Sequence, residues 1–433
     1  MADSVRELAS AARRAGRMLA HFPGPERRSV LLALADALGR AEERERLSAA
    51  NEADLADAQP RLAAGELTQA LVDRLVLSTS KLDALCDGLV QLAGQKDLIG
   101  ETTLRRELDD GLVLSRVSCP LGVLGVVFEA RPDAVPQITG LALRTGNAVV
   151  LKGGREAQRS NEALVTLIKN TLQVQGVDPA VVGLLHGREQ VDEMLQLDDL
   201  IDLVIARGSS SFVRHVQTKS RIEVLGHAEG LCHLFLHASA DPAMAARIAV
   251  DAKCSYPAAC NAIETLLWEP GAEAALASTV AALSKAGVTL KGCQATRALH
   301  PSLDVANEDD WATEYGDLTL SIGQVDDLRR ALEHIERYGS RHTEAIVAQD
   351  EGAASAFVAN VDAAGVFHNA STRFADGYRY GLGAEVGIST GKLHARGPVG
   401  VEGLVTYRWI LLGRGQIASD YGPGKRKFTH RDS

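Results

Sequence analysis

The sequence predicts an α/β protein with two doubly wound parallel-sheet domains and a separate β extension. Three observations carry this. From Gly122 onward, short continuous apolar runs alternate with helical stretches, the pattern of strands buried on both faces. A second run of the same kind begins near "CHLFLHASADPAMAARIAVDAK" and continues toward Tyr380. Two strand-like segments belong to neither run: "TLRRELDDGLVLSRVSCPLG" alternates around an Asp-Asp-Gly turn, and "RGPVGVEGLVTYRWILLGRGQ" stands alone after the second run.

The elements follow in order. Before the hairpin the chain is nearly all helical, with apolar residues three and four apart, as in "SVLLALADALGRAEERERLSAANEADLADA". The hairpin leads into the strands "VLGVVF" and "AVVLKGG". "SNEALVTLIKNTLQVQG" predicts a helix that starts at its Ser or Asn and stops at its Gly. "AVVGLLH", "DLVIARGSS" and "RIEVLGH" are further strands. The second run holds the strand "AIETLLW", the helix "GAEAALASTVAALSKAG" and the strand "LTLSIG". The lone terminal strand is expected to join another sheet, in this chain or in a partner subunit. Repeats, low-complexity tracts and flexible linkers are absent, so the domains are expected to interleave.

Composition narrows the functional classes. A chain of 433 residues, 46% hydrophobic and 24% charged, is a globular protein of two or three domains. Its net charge of −10 repels phosphate backbones and argues against a nucleic-acid partner. An anionic small substrate would need locally concentrated Arg and Lys. No apolar run approaches the roughly 18 residues of a membrane span, and "MADSVRELASAARRAGRMLA" carries charges throughout, unlike a signal peptide. The cysteines Cys86, Cys119, Cys232, Cys254, Cys260 and Cys293 form no Cys-x-x-Cys pair and no Cys/His cluster. Free thiols in a reducing cytoplasm and no metal site are therefore expected.

Several segments could carry chemistry. Cys260 sits in a connection, after Tyr256-Pro257-Ala258-Ala259 and before a strand, with small neighbours that leave room around the sulfur. An isolated cysteine is by default a small buried packing group; the alternative is a nucleophile with an ionised sulfur and an open face. Cys254, at a helix end, is expected to pack. In "LKGGRE", Lys152 ends a strand and two glycines allow close approach of a ligand, although a turn alone would explain them. In "VIARGSSSFV", Gly208 and Ser209 open a helix whose free amides suit a phosphate, or mark an ordinary Ser cap. No Gly-x-Gly-x-x-Gly follows a strand in the first run, and "GLGAEVG" is read as a loop. "HNASTRFADG" groups Asn369, Ser371, Thr372 and Arg373, donors for a carboxylate or phosphate, in what is otherwise an unremarkable turn. His186, His227 and His233 are dispersed, and none is assigned a ligand role.

The order of these pieces resembles the aldehyde dehydrogenase superfamily. The resemblance rests on "VFEARPDAVPQI", "GNAVVLKGGREAQRSN", "LIDLVIARGSSSFV", "EVLGHAEGLCH", "YPAACNAIETLL", "TEYGDLTLSIG", "NASTRFADGYRYGLGAEVGIST" and "RGPVGVEGLVTYRW", and covers nearly the whole chain. It implies an aldehyde-dehydrogenase-like fold. The cofactor-binding domain would comprise residues 1–101 and 121–230, the catalytic domain 231–394, and the β oligomerisation extension 102–120 and 395–417, followed by a tail, 418–433. Cys260 would be the nucleophile. Lys152 would contact the adenosine ribose, Gly208 and Ser209 the pyrophosphate, and Glu314 the nicotinamide ribose. Arg155 stands where NAD-preferring members often carry a Glu, which favours NADPH/NADP.

Two departures sharpen the expectation. Val224 precedes Leu225-Gly226 where the superfamily places its water-activating Glu, although Glu223 is adjacent. "FEARPD" replaces the segment of the oxyanion Asn, leaving the Cys260 amide as the oxyanion donor. A missing water-activating base suits phosphate chemistry. The resemblance thus implies NADPH-dependent reduction of L-glutamyl 5-phosphate to L-glutamate 5-semialdehyde and phosphate through a Cys260 thioacyl enzyme, the second step of proline synthesis from glutamate. Asn369, Ser371 and Arg373 would hold the substrate α-carboxylate. A hydrolytic or CoA-acylating aldehyde dehydrogenase and a catalytically inactive structural member are the alternatives. Expected partners are a second copy of the chain, as dimer or tetramer, and a glutamate 5-kinase on a separate chain.

Overall fold

Alternating apolar and amphipathic segments build two parallel sheets that face each other end to end. The computed structural model describes residues 4–226 and 229–432, with only the backbone of Ala70; His227 lies outside the described residues. Five helices come first: α1 (Val5–Leu19), α2 (Gly24–Gly39), α3 (Ala41–Ala63), α4 (Gln69–Leu75) and α5 (Thr79–Gly94). Ser4 and Glu7 start α1 with a reciprocal capping box. The hairpin β1 (Thr102–Asp109) and β2 (Leu112–Pro120) follows.

The first sheet is wound from β3 (Val123–Phe128), α6 (Ala134–Arg144), β4 (Ala148–Lys152), α7 (Gln158–Val174), β5 (Val182–Leu184), α8 (Arg188–Met194), β6 (Leu203–Arg207), α9 (Ser210–Lys219) and β7 (Val224–Leu225). Its order is β5-β4-β3-β6-β7, parallel throughout, so the winding switches direction between β3 and β6. Every residue of β3 is buried, because helices cover both faces. Leu31, Leu34 and Leu89 of the N-terminal helices share one core with Val126, Ile138 and Leu151.

α7 begins at Gln158, ahead of the expected Ser160 or Asn161. The cap comes from another helix. Asp54 of α3, itself buried, accepts hydrogen bonds from the amides of Arg159 (3.2 Å) and Ser160 (2.8 Å) and from the Ser160 hydroxyl (2.7 Å). A distant carboxylate at a helix start leaves no local sequence signal.

The second sheet contains β8 (Cys232–Leu236), α10 (Pro242–Cys254), β9 (Ile263–Trp268), α11 (Glu273–Lys285), β10 (Thr289–Gly292), α12 (Gln294–Leu299), β11 (Asp304–Val305), β12 (Thr319–Gln324), α13 (Leu328–Tyr338), β13 (Thr343–Val347), α14 (Glu351–Asn360) and β14 (Gly365–His368). Its order is β11-β10-β12-β9-β8-β13-β14, again parallel. A small pair, β15 (Ile388–Ser389) and β16 (Gly397–Pro398), precedes β17 (Val405–Leu412) and β18 (Arg431–Asp432).

β17 joins the hairpin of its own chain, from Val405 opposite Pro120 to Leu412 opposite Val113. The tail returns as well: β18 pairs with β1, giving an antiparallel sheet β17-β2-β1-β18. A two-residue strand in a charged tail has no alternation to read, which is why the tail appeared separate. Among the described residues no helix is long and apolar enough to cross a membrane.

Replacing Asp54 with Ala leaves three donors at the start of α7 without their partner. Urea titration should show a loss of about 1–3 kcal/mol with far-ultraviolet dichroism unchanged. An unaltered midpoint would mean that Asp54 is dispensable for this junction.

Candidate functional site

The crevice outside the carboxyl ends of the strands, where the winding switches direction, falls between β3 and β6. Lys152, Arg207 and the Phe128–Glu129 step lie at these strand ends. The second sheet turns its opposite end to the cleft: Cys232 begins β8, Cys260 lies just before β9, and Glu314 precedes β12. The loop after Ala375, which Asn261 bonds, reaches Gly387 beside the Arg207 stem, so one loop spans from the Cys260 turn to the end of β6.

Cys260 is partly buried in the turn between α10 and β9. Its backbone is held from several sides. The Cys232 thiol donates to the Cys260 carbonyl oxygen (3.3 Å), and burial pushes that thiol well up, so it stays protonated. Gly230 packs against the Cys260 main chain so closely that a Cβ there would run into its carbonyl. Asn261 donates to the Ala375 carbonyl (3.0 Å) and accepts from the Arg373 guanidinium, tying the cysteine turn to the 369–375 loop. The Cys260 amide donates no hydrogen bond among the described residues. Cys254, at the end of α10, packs beside the core of the second sheet, and burial raises its thiol.

A fully buried ion pair closes this turn. Lys253, the penultimate residue of α10, donates to Glu264 of β9 at 2.6 Å, both side chains being at most 2% exposed. The second Glu264 oxygen accepts from the Gly316 amide (3.3 Å) in the loop that carries Glu314. Burial pushes the Glu264 carboxyl up to about 7, against the lowering effect of Lys253. That loop is also fixed by Tyr315, whose hydroxyl donates to Asp310 (2.8 Å) and bonds Ser321 (2.8 Å). Glu314 itself is exposed.

Of the expected substrate residues, Arg373 is the one whose side chain reaches the cysteine turn. It donates to Asn261 and to Ser255 (3.1 Å), and its guanidinium lies 5.8 Å from the Tyr256 ring centre. Burial lowers it, and charge at Cys260 opposes that. Asn369 adopts a left-handed backbone, φ +54°, and its amide clasps Ala348, accepting from the amide (3.0 Å) and donating to the carbonyl (2.8 Å). Ser371 is buried and caps the 3-10 turn Thr372–Phe374 by accepting from the Arg373 amide (3.2 Å). Asn369 and Ser371 therefore shape the loop that presents Arg373, because turn geometry engages their polar atoms locally.

The cofactor candidates line the first sheet. Lys152 ends β4 half-buried and without a hydrogen bond among the described residues; burial lowers its ammonium, while Glu156 and Glu129 oppose that. The two glycines after it make room for the protein itself: a Cβ on Gly153 would strike Asn161, and one on Gly154 would strike Glu156. Glu156 turns inward and accepts from the Ala130 amide (2.8 Å), whereas Arg155 is exposed and unpaired among the described residues. At the start of α9, the Ser209 amide donates to the Glu129 carboxylate (2.9 Å). An anion thus already stands at this helix N-terminus. A half-buried unpaired lysine, an exposed arginine and an anion-holding helix start fit a phosphate-rich nucleotide cofactor.

Sequence reasoning passed over Glu129, Arg207, Lys253 and Glu264. A signal for the last two existed, since a Lys among "AVDAKC" alanines and a Glu inside "AIETLLW" both break an otherwise apolar pattern. His233 is buried against Glu344 (2.9 Å) and His186 lies 3.3 Å from Glu162, each in a local pair.

A sequence profile described as the aldehyde dehydrogenase family matches residues 1–291, and the chain belongs to that family. The gamma-glutamyl phosphate reductase of Prochlorococcus marinus (strain MIT 9313) is 52% identical over 426 residues, covering 98% of this chain and 96% of its own. That of Natronomonas pharaonis is 48% identical over 435 residues, covering 100% and 98%. The crystal structure of the gamma-glutamyl phosphate reductase from Thermotoga maritima superposes with a TM-score of 0.92 at 36% identity, covering 96% of this chain and all of that one. Within the family, the chain falls among the gamma-glutamyl phosphate reductases.

The Glu264 proton gives this site a pH signature. Between about pH 4.5 and 7 the folded chain retains a proton that the unfolded chain has lost, so this group's contribution makes stability fall as pH rises. Glu264→Gln should flatten that fall in thermal melts taken across the window, at lower overall stability because Lys253 loses its counter-charge. A slope matching wild type would place the proton elsewhere.

Proposed function

We propose that the chain reduces L-glutamyl 5-phosphate to L-glutamate 5-semialdehyde with NADPH, releasing phosphate, as the second step of proline synthesis from glutamate in the cytoplasm. The observation that carries this reading is the seat of Cys260. It is a partly open thiol on a turn held from several sides, with the Arg373 guanidinium bound to the next residue, Asn261, and charge at Cys260 acting on both Arg373 and Arg207. The full-length relatives named gamma-glutamyl phosphate reductase support the choice of substrate.

Arg373 holds the substrate α-carboxylate and so places the acyl carbon beside Cys260. The Cys260 sulfur attacks that carbon, the S–C bond forms, and the C–O bond to phosphate breaks with its electron pair leaving on phosphate. The unengaged Cys260 amide faces the oxyanion that develops. Lys152, Arg155 and Glu314 would hold the cofactor, with Arg155 selecting the 2′-phosphate, and its pyrophosphate would take the place of Glu129 at the Ser209 amide. When bound, the nicotinamide supplies a hydride to the thioester carbon. Sulfur then departs with its electron pair and the aldehyde is released. A glutamate 5-kinase on a separate chain supplies the acyl phosphate.

The extension mediates self-association. β17 is the edge of its sheet, and Tyr407, Trp409 and Leu411, alternate residues of that strand, are each more than half exposed. An open edge with an apolar face is a surface that a second copy can cover.

NADPH formation from semialdehyde and NADP should require inorganic phosphate and should exceed the rate with NAD. Cys260→Ala should lower it by on the order of 10⁴-fold or more. Arg373→Ala should raise the KM for semialdehyde more than about tenfold, the loss of one charged contact, while NADPH affinity holds. Turnover without phosphate would overturn this function. Separately, Trp409→Lys should shift sedimentation toward monomer with the far-ultraviolet spectrum preserved; an unchanged distribution would remove β17 from the interface.

A further inference from the structure

Arg207 is the last residue of β6, level with Phe128 in the neighbouring β3, whose chain runs on through Glu129 to Arg131. Its stem lies 3.6 Å from the position a Cβ would take on Gly387. Although partly buried, its guanidinium makes no hydrogen bond and no ion pair among the described residues. A guanidinium with no partner among the described residues offers its fork of N–H donors to an anion arriving from solution.

The neighbouring carboxylates do not satisfy it. Glu385 accepts from the Gly377 amide (2.9 Å), and burial raises its carboxyl toward the neutral form. Asp133 lies 3.5 Å from Arg131. Burial and the like charge of Arg131 lower the Arg207 guanidinium to about 10, which still leaves it cationic at neutral pH. Arg131 acts on the Arg207 guanidinium as a like charge, and an anion bound there relieves that repulsion.

We propose that Arg207, assisted by Arg131, is the phosphate subsite of this enzyme, holding the phosphoryl group of the acyl phosphate and, in reverse, inorganic phosphate. The proposal rests on the acyl phosphate substrate argued above. As the Cys260 S–C bond forms and the C–O bond breaks, the electron pair moves onto the phosphate oxygen. The guanidinium contact strengthens with that charge and favours departure. In reverse, a phosphate oxygen attacks the thioester carbon, and sulfur leaves with the pair. Arg373, already anchored to Asn261 and Ser255, is left to the carboxylate at the other end of the substrate.

The test uses the reverse reaction. Arg207→Met, which keeps the stem, should raise the KM for inorganic phosphate by about ten- to a hundredfold. The KM for semialdehyde and the affinity for NADPH should stay within about twofold, whereas a merely structural role would move all three. Arg207→Lys should recover part of the loss, and Arg131→Ala, at an exposed position, should give a smaller rise. Inorganic phosphate alone should also slow alkylation of Cys260 by iodoacetamide in wild type but not in Arg207→Met. An unchanged phosphate KM with full protection in Arg207→Met would overturn the subsite while leaving the acyl phosphate reading intact. A wild type that turns over without phosphate would sink that reading first. An unaffected Arg131→Ala would remove the assisting role.

Discussion

The buried contact between Lys253 and Glu264 is the constraint on which the site depends. It joins the end of a helix to the start of a strand across the turn that carries Cys260, and Glu264 also reaches the Gly316 amide. One carboxylate therefore sets the Cys260 turn and the Glu314 loop relative to each other. Desolvating two charges is expensive, and well-packed apolar residues would be at least as stable in many proteins. What an apolar pair lacks is direction: a 2.6 Å charged hydrogen bond tolerates little sliding. Position at the site, rather than global stability, is what this pair contributes.

Charge is distributed to match. The chain carries −10 overall, yet Lys152 and Arg207 end strands on either side of β3 in the first sheet and Arg373 is bound to the Cys260 turn. An acidic exterior with a cationic cleft repels polyanions in general while concentrating small anions at the site. Glu129 at the start of α9 fits the same scheme, since the amide end there is kept neutralised by the protein's own carboxylate.

Much of this was legible in the sequence. The apolar runs of β3 and β4 are unambiguous because strands covered on both faces need no alternation. For Cys260 the small neighbours alone left packing as the default, and the family resemblance made it the expected nucleophile, with Arg373 expected from its donor-rich loop. The start of α7 was misplaced because its cap comes from Asp54, far away in the chain. Asn369 looked like a ligand group, since a free amide and one clasping Ala348 are identical on paper. Lys253 and Glu264 were invisible as a pair because their meaning lies in a contact across a turn. The lesson is physical: periodicity reports burial, whereas pairing of polar groups is decided by tertiary packing.

The pairing of β17 with β2 brings a constraint of timing. β2 emerges early from the ribosome, but its partner follows the whole second sheet, roughly 300 residues later. At about 5–20 residues per second, that interval is on the order of tens of seconds. Throughout it β2 has only β1 beside it, and one edge of the nascent hairpin stays open to other chains. Segments some 300 residues apart must both be present before this sheet closes, so its completion comes late. A ribosome-bound fragment ending before Val405 would carry Cys260 and both parallel sheets with this antiparallel sheet unfinished.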